Sequence, residues 1–128
     1  MKSEILTCKS MLADACDQIT IVDTERAEAM LSQKVVVLDV REPAEFQVGH
    51  LPHAINVPRG VLEFKVSNHP QLMDPQQPIL IYCKNGGRST LAALTLKHMG
   101  FTGIEMLNGG FDGWRGEVHK IEIDPGIY

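Results

Sequence analysis

IYCKNGGRST, Ile81 to Thr90, carries an apolar run into a polar, glycine-containing loop and out again into a helix-like stretch. Strand, tight loop and helix in that order form the repeating unit of an α/β sheet. Cys83 stands where the strand gives way to the loop. A structural cysteine belongs inside an apolar element, where it behaves as a small hydrophobe. This one meets a run of backbone N–H groups instead, a placement that suits reactivity.

Working outward, VVVLDV, Val35 to Val40, is continuously apolar and β-branched until Asp39. That pattern predicts a strand buried on both faces of a parallel sheet, with Asp39 at its carboxyl end. Before it, Ile19 to Val22 reads as a short strand. DTERAEAMLSQ then reads as a helix capped by Asp23, with Ala27, Met30 and Leu31 on one face. In REPAEFQVGH, Pro43 suits the first turn of a short helix, Glu45 sits where the helix dipole favours an acid, and Gly49 closes it. Ala54 to Val57 is a further short strand, stopped by Pro58. RGVLEFKVSNHPQLMDPQQP holds one short helix and a proline-punctuated connector. ILIYC resumes the sheet.

From about Gly87 to Met99 the apolar residues Leu91, Ala92, Leu94, Leu96 and Met99 cover more than one face, which predicts a well-buried helix ended by Gly100. Ile104 to Leu107 is the last strand, and NGGFDGWRG is expected to turn into a final helix with Trp114 packed inward. Residues 1–16, with Ile5, Leu6, Met11, Leu12 and Ala15 tending to one side, read as a helical extension to a domain spanning 17–128. Alternating strands and helices predict an α/β domain with a mostly parallel sheet, whose ligands gather at the carboxyl ends of the strands. Asp39 and Cys83 both fall there.

The length, 128 residues, fits one core and one domain. Twelve basic residues against sixteen acidic give a net charge of -4, and no polybasic run argues for nucleic acid as a partner. No stretch has the length of a membrane span, and the start, MKSEILTCKSMLADACDQ, mixes charges in a way unlike a signal peptide, so the cytoplasm is the expected compartment. Three irregularly spaced cysteines make neither a disulfide framework nor a paired zinc motif. On one helix, Cys8 and Cys16 would lie roughly 12 Å apart along the axis, beyond disulfide reach. His50 and His53 lack nearby partners for a metal and read as turn residues. Met73, Met99 and Met106 read as core filler, and the ending HKIEIDPGIY, with Ile121 and Ile123, as a tail packed on the domain or on a partner.

The loop chemistry follows from its composition. A free thiol is only a few per cent ionised at neutral pH, and a helix amino terminus with nearby cations favours the thiolate. Glycines let Lys84-Asn85-Gly86-Gly87-Arg88 curl into an anion-binding nest flanked by two cationic side chains.

The blocks LDVREPAEFQVGHLPHAINVP, IYCKNGGRS and LNGGFDGW, in that order from about Ile19 to Trp114, resemble the rhodanese-like sulfurtransferases. The resemblance implies the rhodanese-like fold, a mostly parallel central sheet flanked by helices on both faces. It assigns Cys83 as nucleophile, Cys83 to Arg88 as active-site loop, and Asp39 and Arg41 to the family's Asp-x-Arg strand end. It implies ping-pong chemistry in which Cys83 takes the sulfane sulfur of thiosulfate or a similar donor as a persulfide and passes it to cyanide, a thiol or a protein acceptor, with no metal or organic cofactor. Lys84 and Arg88 are expected to attract the anionic donor and the amides of Asn85 to Ser89 to stabilise sulfur. Arg59, just after the third strand, is a further candidate to reach the crevice, and Asp39 and Arg41 are expected to support the loops. Related cysteine phosphatases place one more residue between Cys and Arg than the four found here, which favours sulfur over phosphate. A protein-binding sulfur carrier, a phosphatase or oxyanion reductase of the same fold, and a degenerate interaction module are the alternatives.

Overall fold

The computed structural model describes residues 5–122. Its elements run α1 (Cys8–Cys16), β1 (Thr20–Val22), α2 (Thr24–Ser32), β2 (Val36–Asp39), α3 (Pro43–Val48), β3 (Ile55–Asn56), α4 (Leu62–Val66), β4 (Ile79–Tyr82), α5 (Gly87–His98) and β5 (Ile104–Leu107), with short 3-10 turns between some of them. The strands form one five-stranded sheet in the order β1-β5-β4-β2-β3, and every pairing is parallel.

β4 lies at the centre, and all four of its residues are fully buried. Because side chains alternate across a strand, Ile79 and Ile81 join Leu38, Val40, Ala92, Ala93 and Leu96 on one face, while Leu80 and Tyr82 join Val37, Ala27, Met30, Leu51 and Trp114 on the other. Each such aliphatic side chain contributes about 1.5–3 kcal/mol by leaving water. That two-sided burial is what a continuous apolar run in a parallel sheet requires. Cys83 continues the phase of Ile79 and Ile81, toward α5.

The helices begin where the sequence places caps. The Asp23 carboxylate accepts from the Arg26 amide at 2.8 Å at the start of α2, and Gly100 (φ 107°) stands just beyond α5. Its amide donates to Lys97 O, and that of Phe101 to Leu96 O, so the last carbonyls of the helix are satisfied.

Four expectations need correction. NGGFDGWRG does not become a helix: only a 3-10 turn, Phe111–Gly113, forms. The Phe111 and Asp112 amides donate to Cys83 O and Lys84 O, which commits them to the neighbouring loop, and Trp114 then continues in extended backbone, buried as expected. Met73 is 66% exposed because Leu72 takes the interior position. Met99 is 39% exposed at the C-cap of α5, one turn past the last buried residue, Leu96. Met106 alone of the three methionines is core. On the amino-terminal helix, Ile5 and Leu6 precede the Thr7 cap and are exposed, as is Met11, so Ala15 is the buried residue of α1. Of the tail, His119 exchanges two backbone hydrogen bonds with His50 and the Ile121 amide donates to Gln47 O. Ile121 is half exposed, and Ile123 lies outside the described residues.

Candidate active site

β4 delivers Cys83 to the carboxyl end of the sheet, directly below the amino terminus of α5. The thiol is fully buried, and two donors converge on it: the Gly86 amide at 3.1 Å and the Ser89 hydroxyl at 3.3 Å. Gly86 is the N-cap of α5 and adopts φ 107°, ψ -16°, left-handed backbone that turns its N–H inward. A side chain there would be strained. Ser89 Oγ also lies 3.2 Å from Gly86 O. A hydroxyl has one proton, so it donates either to that carbonyl or to sulfur, and an ionised sulfur favours the second.

The loop is backed from the β5 side. Gly110 (φ 57°) presses so close that a Cβ would fall 2.5 Å from Cys83 O and 2.7 Å from Lys84 C. The hydrogen bonds from Phe111 N to Cys83 O, 2.8 Å, and from Asp112 N to Lys84 O, 2.9 Å, stitch the two loops together. Sequence reasoning did not identify Gly110 as a site residue. Its only sign was a Gly-Gly pair after a strand.

Below the loop lies a buried polar knot. Arg41 Nε and Nη2 reach Asp39 Oδ2 at 3.1 and 2.7 Å, and the Tyr82 hydroxyl donates to the same oxygen at 2.7 Å while accepting the Leu51 amide at 3.1 Å. Arg41 also donates to Gly49 O and stacks over the Phe111 ring at 4.4 Å. Asn56 Nδ2 bonds Asp39 O and Arg41 O, fixing β3 to the end of β2. Burial, reinforced by the Asp39 charge, raises the Tyr82 phenol above its ordinary range, so it remains a donor. Among the described residues no buried side-chain nitrogen or oxygen lacks a partner. Asp39 and Arg41 thus brace the loops from beneath, and among the described residues the hydrogen bonds to sulfur come from Gly86 and Ser89.

Above the loop, the two cations expected to greet a donor are each held by a carboxylate. Arg88 forms a bidentate pair with Glu45, at 2.8 and 3.2 Å, and Lys84 pairs with Asp112 at 2.9 Å. The Arg88 hydrogen bond holds the Glu45 carboxyl down at about 2 against the opposing effect of burial. Glu45 in turn raises Arg88. Asn85 Oδ1 accepts from the Gly87 amide at 3.3 Å, which firms the turn but directs that N–H to the side chain. The remaining candidate, Arg59, does not join the site. Its guanidinium runs to Glu63 and to Thr95 Oγ1 at 3.3 Å, and Thr95 is eight residues, roughly 12 Å, along α5 from Gly87. Of the two histidines, buried His50 stacks on Phe46 at 3.8 Å with Nδ1 against Phe46 O. His53 (φ 63°) sits in the turn closed by Ala54 N to Leu51 O.

Comparison with known proteins gives the arrangement its context. A family profile described as "Rhodanese-like domain" matches residues 23–117. Thiosulfate sulfurtransferase GlpE of Pseudomonas fluorescens is 30% identical over 105 residues, covering 82% of this chain and 92% of that protein. YqhL of Bacillus subtilis, an uncharacterised protein, is 38% identical over 86 residues, 67% of this chain, which span 65% of its own length. Among solved structures, a Rhodopseudomonas palustris protein of unknown function, described as a possible tyrosine phosphatase, superimposes with a TM-score of 0.78 at 31% identity, covering 93% of this chain and 99% of that one.

Proposed function

The chain belongs to the rhodanese-like family, and from that premise we propose that it is a sulfurtransferase carrying sulfane sulfur as a persulfide on Cys83. Relatives bearing the name thiosulfate sulfurtransferase support sulfur transfer in general. The observation that carries the finer reading is the convergence of the Gly86 N–H and Ser89 O–H on Cys83 Sγ at the amino terminus of α5. Donors aimed at Cys83 Sγ favour its thiolate, which is the nucleophile when the persulfide forms and the leaving group when it is consumed.

In the first half-reaction the Cys83 thiolate attacks the outer sulfur of a donor such as thiosulfate. The donor S–S bond breaks, sulfite leaves with the bonding pair, and Cys83 holds the new S–S bond. In the second, cyanide, a thiol or a protein thiolate attacks the outer sulfur, and Cys83 departs as thiolate. Both steps are displacements at sulfur, so neither demands a strong general base once Cys83 is ionised. Gly86, Gly87 and Asn85 shape the nest, Ser89 follows the charge on sulfur, Lys84 and Arg88 form its rim, and Asp39 and Arg41 hold it from below. The three free thiols suit a reducing compartment, and we place the protein in the cytoplasm on that ground.

Intact-protein mass tests the reading. Incubation with a sulfane donor should add one sulfur atom, cyanide should remove it, and Cys83→Ser should accept none, whereas Cys8→Ser and Cys16→Ser should load as the unaltered protein does. Loading of the Cys83→Ser protein would refute the assignment. Phosphatase chemistry is the rival raised by the R. palustris neighbour. With Arg88 committed to Glu45 and four residues between it and Cys83, aryl phosphate hydrolysis should be slower than sulfur transfer.

A further inference from the structure

A thiosulfate dianion approaching a thiolate is repelled unless fixed positive charge offsets it, and the rim of this site is electrically neutral as a unit. Lys84 is bound to Asp112 and Arg88 to Glu45 through both oxygens, and Glu42 adds a further negative charge to the surroundings of Arg88. Arg59 is tied to Glu63; Arg115, further along the β5 loop and outside the two rim pairs, keeps its charge and directs Nη1 to the carbonyls of Asp112 and Trp114. A salt bridge seen from beyond its own length is a weak dipole, so its cation exerts little net pull on an incoming dianion.

We propose that Glu45 and Asp112 set the donor preference of the Cys83 loop, turning it from thiosulfate toward sulfane sulfur carried on a thiol, a persulfide R–S–SH. The inference rests on the sulfurtransferase reading above and concerns the substrate class of the same site. The balanced step is that Cys83 thiolate attacks the outer sulfur of R–S–SH, the donor S–S bond breaks, and R–S⁻ leaves with the bonding pair. Cys83–S–SH then keeps the proton, and no external oxidant or reductant is consumed. What remains over sulfur is the Gly86 N–H and the Ser89 O–H, donors that stabilise a single sulfur anion and have no means of neutralising a sulfonate group. Glu45 and Asp112 are positioning residues in this scheme: they act through the two cations and do not touch the reacting atoms.

Two donors of different charge read this directly, the dianion thiosulfate and cysteamine persulfide, which carries no net negative charge whether its S–SH group is protonated or ionised. An otherwise uncharged hexapeptide bearing a cysteine persulfide is a third. In the unaltered protein kcat/KM should be higher for cysteamine persulfide than for thiosulfate. Glu45→Gln and Asp112→Asn each free one cation and should raise thiosulfate kcat/KM about five- to tenfold, with the persulfide value changing much less. The double variant should gain more, and its gain should fall with added salt. Glu45→Asp, which keeps the charge, should stay near the unaltered ratio. A hexapeptide that works as well as cysteamine persulfide assigns protein-borne sulfur, and one that is excluded assigns a small thiol. Should Glu45→Gln not fold, exposed Asp112→Asn carries the test alone. A donor ratio unchanged in the variants, or thiosulfate preferred by the unaltered protein, overturns the inference while leaving persulfide chemistry standing. Failure of every donor to load Cys83 instead removes the sulfurtransferase reading itself.

Discussion

Cys83 lies between two ion-paired regions built from the same kinds of side chain. Beneath it, Asp39 and Arg41 are almost wholly excluded from water. Above it, Glu45 and Arg88 are about one-third exposed, and Asp112 and Lys84 about half. The lower pair is enclosed by Tyr82, Gly49, Asn56 and the Phe111 ring, so its charges have no alternative partner. The upper pairs can exchange each other for water at small cost. Burial therefore makes one pair a brace whose loss the fold must feel, and exposure makes the other two adjustable features of the site.

The sharpest way to break the comparison is to remove one partner of the buried pair. Asp39→Ala strands the Arg41 guanidinium and the Tyr82 hydroxyl without their acceptor, and should cost about 3–5 kcal/mol in chemical denaturation. Tyr82→Phe, which orphans the Leu51 amide and removes one bond to Asp39, should cost about 1–3 kcal/mol. If Asp39→Ala unfolds at the denaturant concentration of the unaltered protein, the lower region is no brace.

Gly110→Ala attacks the boundary between the two regions. A methyl group would have to displace the Cys83 and Lys84 backbone and to adopt φ 57°, ψ -155°, which side chains disfavour. We expect about 2–3 kcal/mol of destabilisation. Sulfur transfer should fall on the order of a hundredfold in the protein that remains folded, since a loop shift near 1 Å misaligns both donors to sulfur. Transfer at the unaltered rate would show that the β5 loop does not set the nest.

The contrast also separates what the sequence discloses from what it conceals. The buried architecture was legible: ILIYC and VVVLDV are apolar without interruption because both faces are covered, and the Cys83 loop announces itself by its glycines at a strand end. The charge balance of the rim was not. Glu45 is 43 residues from Arg88, and Asp112 is 28 from Lys84, and no local periodicity connects charges so far apart. Glu45 had a sufficient local reason to sit in the first turn of α3, where the dipole favours an acid, and that reason hid its second partner. Arg59 misled for the opposite cause: its backbone is at a strand end, bonded to Val40 O, but its long side chain follows α5 away from the sulfur. The segment NGGFDGWRG, expected to end in a helix, forms only a 3-10 turn because its first amides are claimed by Cys83 and Lys84, carbonyls that no local pattern reveals.

Acid probes the Glu45–Arg88 pair by a smaller effect. The folded-state pKa of Glu45 is depressed from 4.5 to about 2, so its contribution is present above the ordinary carboxylate range and is lost as pH falls from about 4.5 toward about 2. Solvent screening at this half-open position limits the contribution to about 1 kcal/mol or less. Glu45→Gln should accordingly flatten the acid limb of the stability profile in that window. A profile identical to that of the unaltered protein would mean that the pair forms without stabilising the fold.

The smallest expected effect is at Lys84 and Asp112, and it separates stability from selectivity most cleanly. Their side chains are 56% and 52% exposed, and one ammonium, Lys84 Nζ at 3.2 and 2.9 Å from the two Asp112 oxygens, joins them. A pair of that kind is worth roughly 0–0.5 kcal/mol, because water solvates both groups nearly as well and two flexible chains must be held in one geometry. The backbone bond from Asp112 N to Lys84 O persists when the carboxylate becomes an amide, so Asp112→Asn leaves the stitch between the loops in place. A double-mutant cycle of Lys84→Met and Asp112→Asn should therefore return a coupling near zero in denaturation, while Asp112→Asn changes the ratio of thiosulfate to persulfide use. A coupling above about 1.5 kcal/mol would place this pair with Asp39 and Arg41 as a brace, and any change in donor use would then have to be ascribed to a displaced loop.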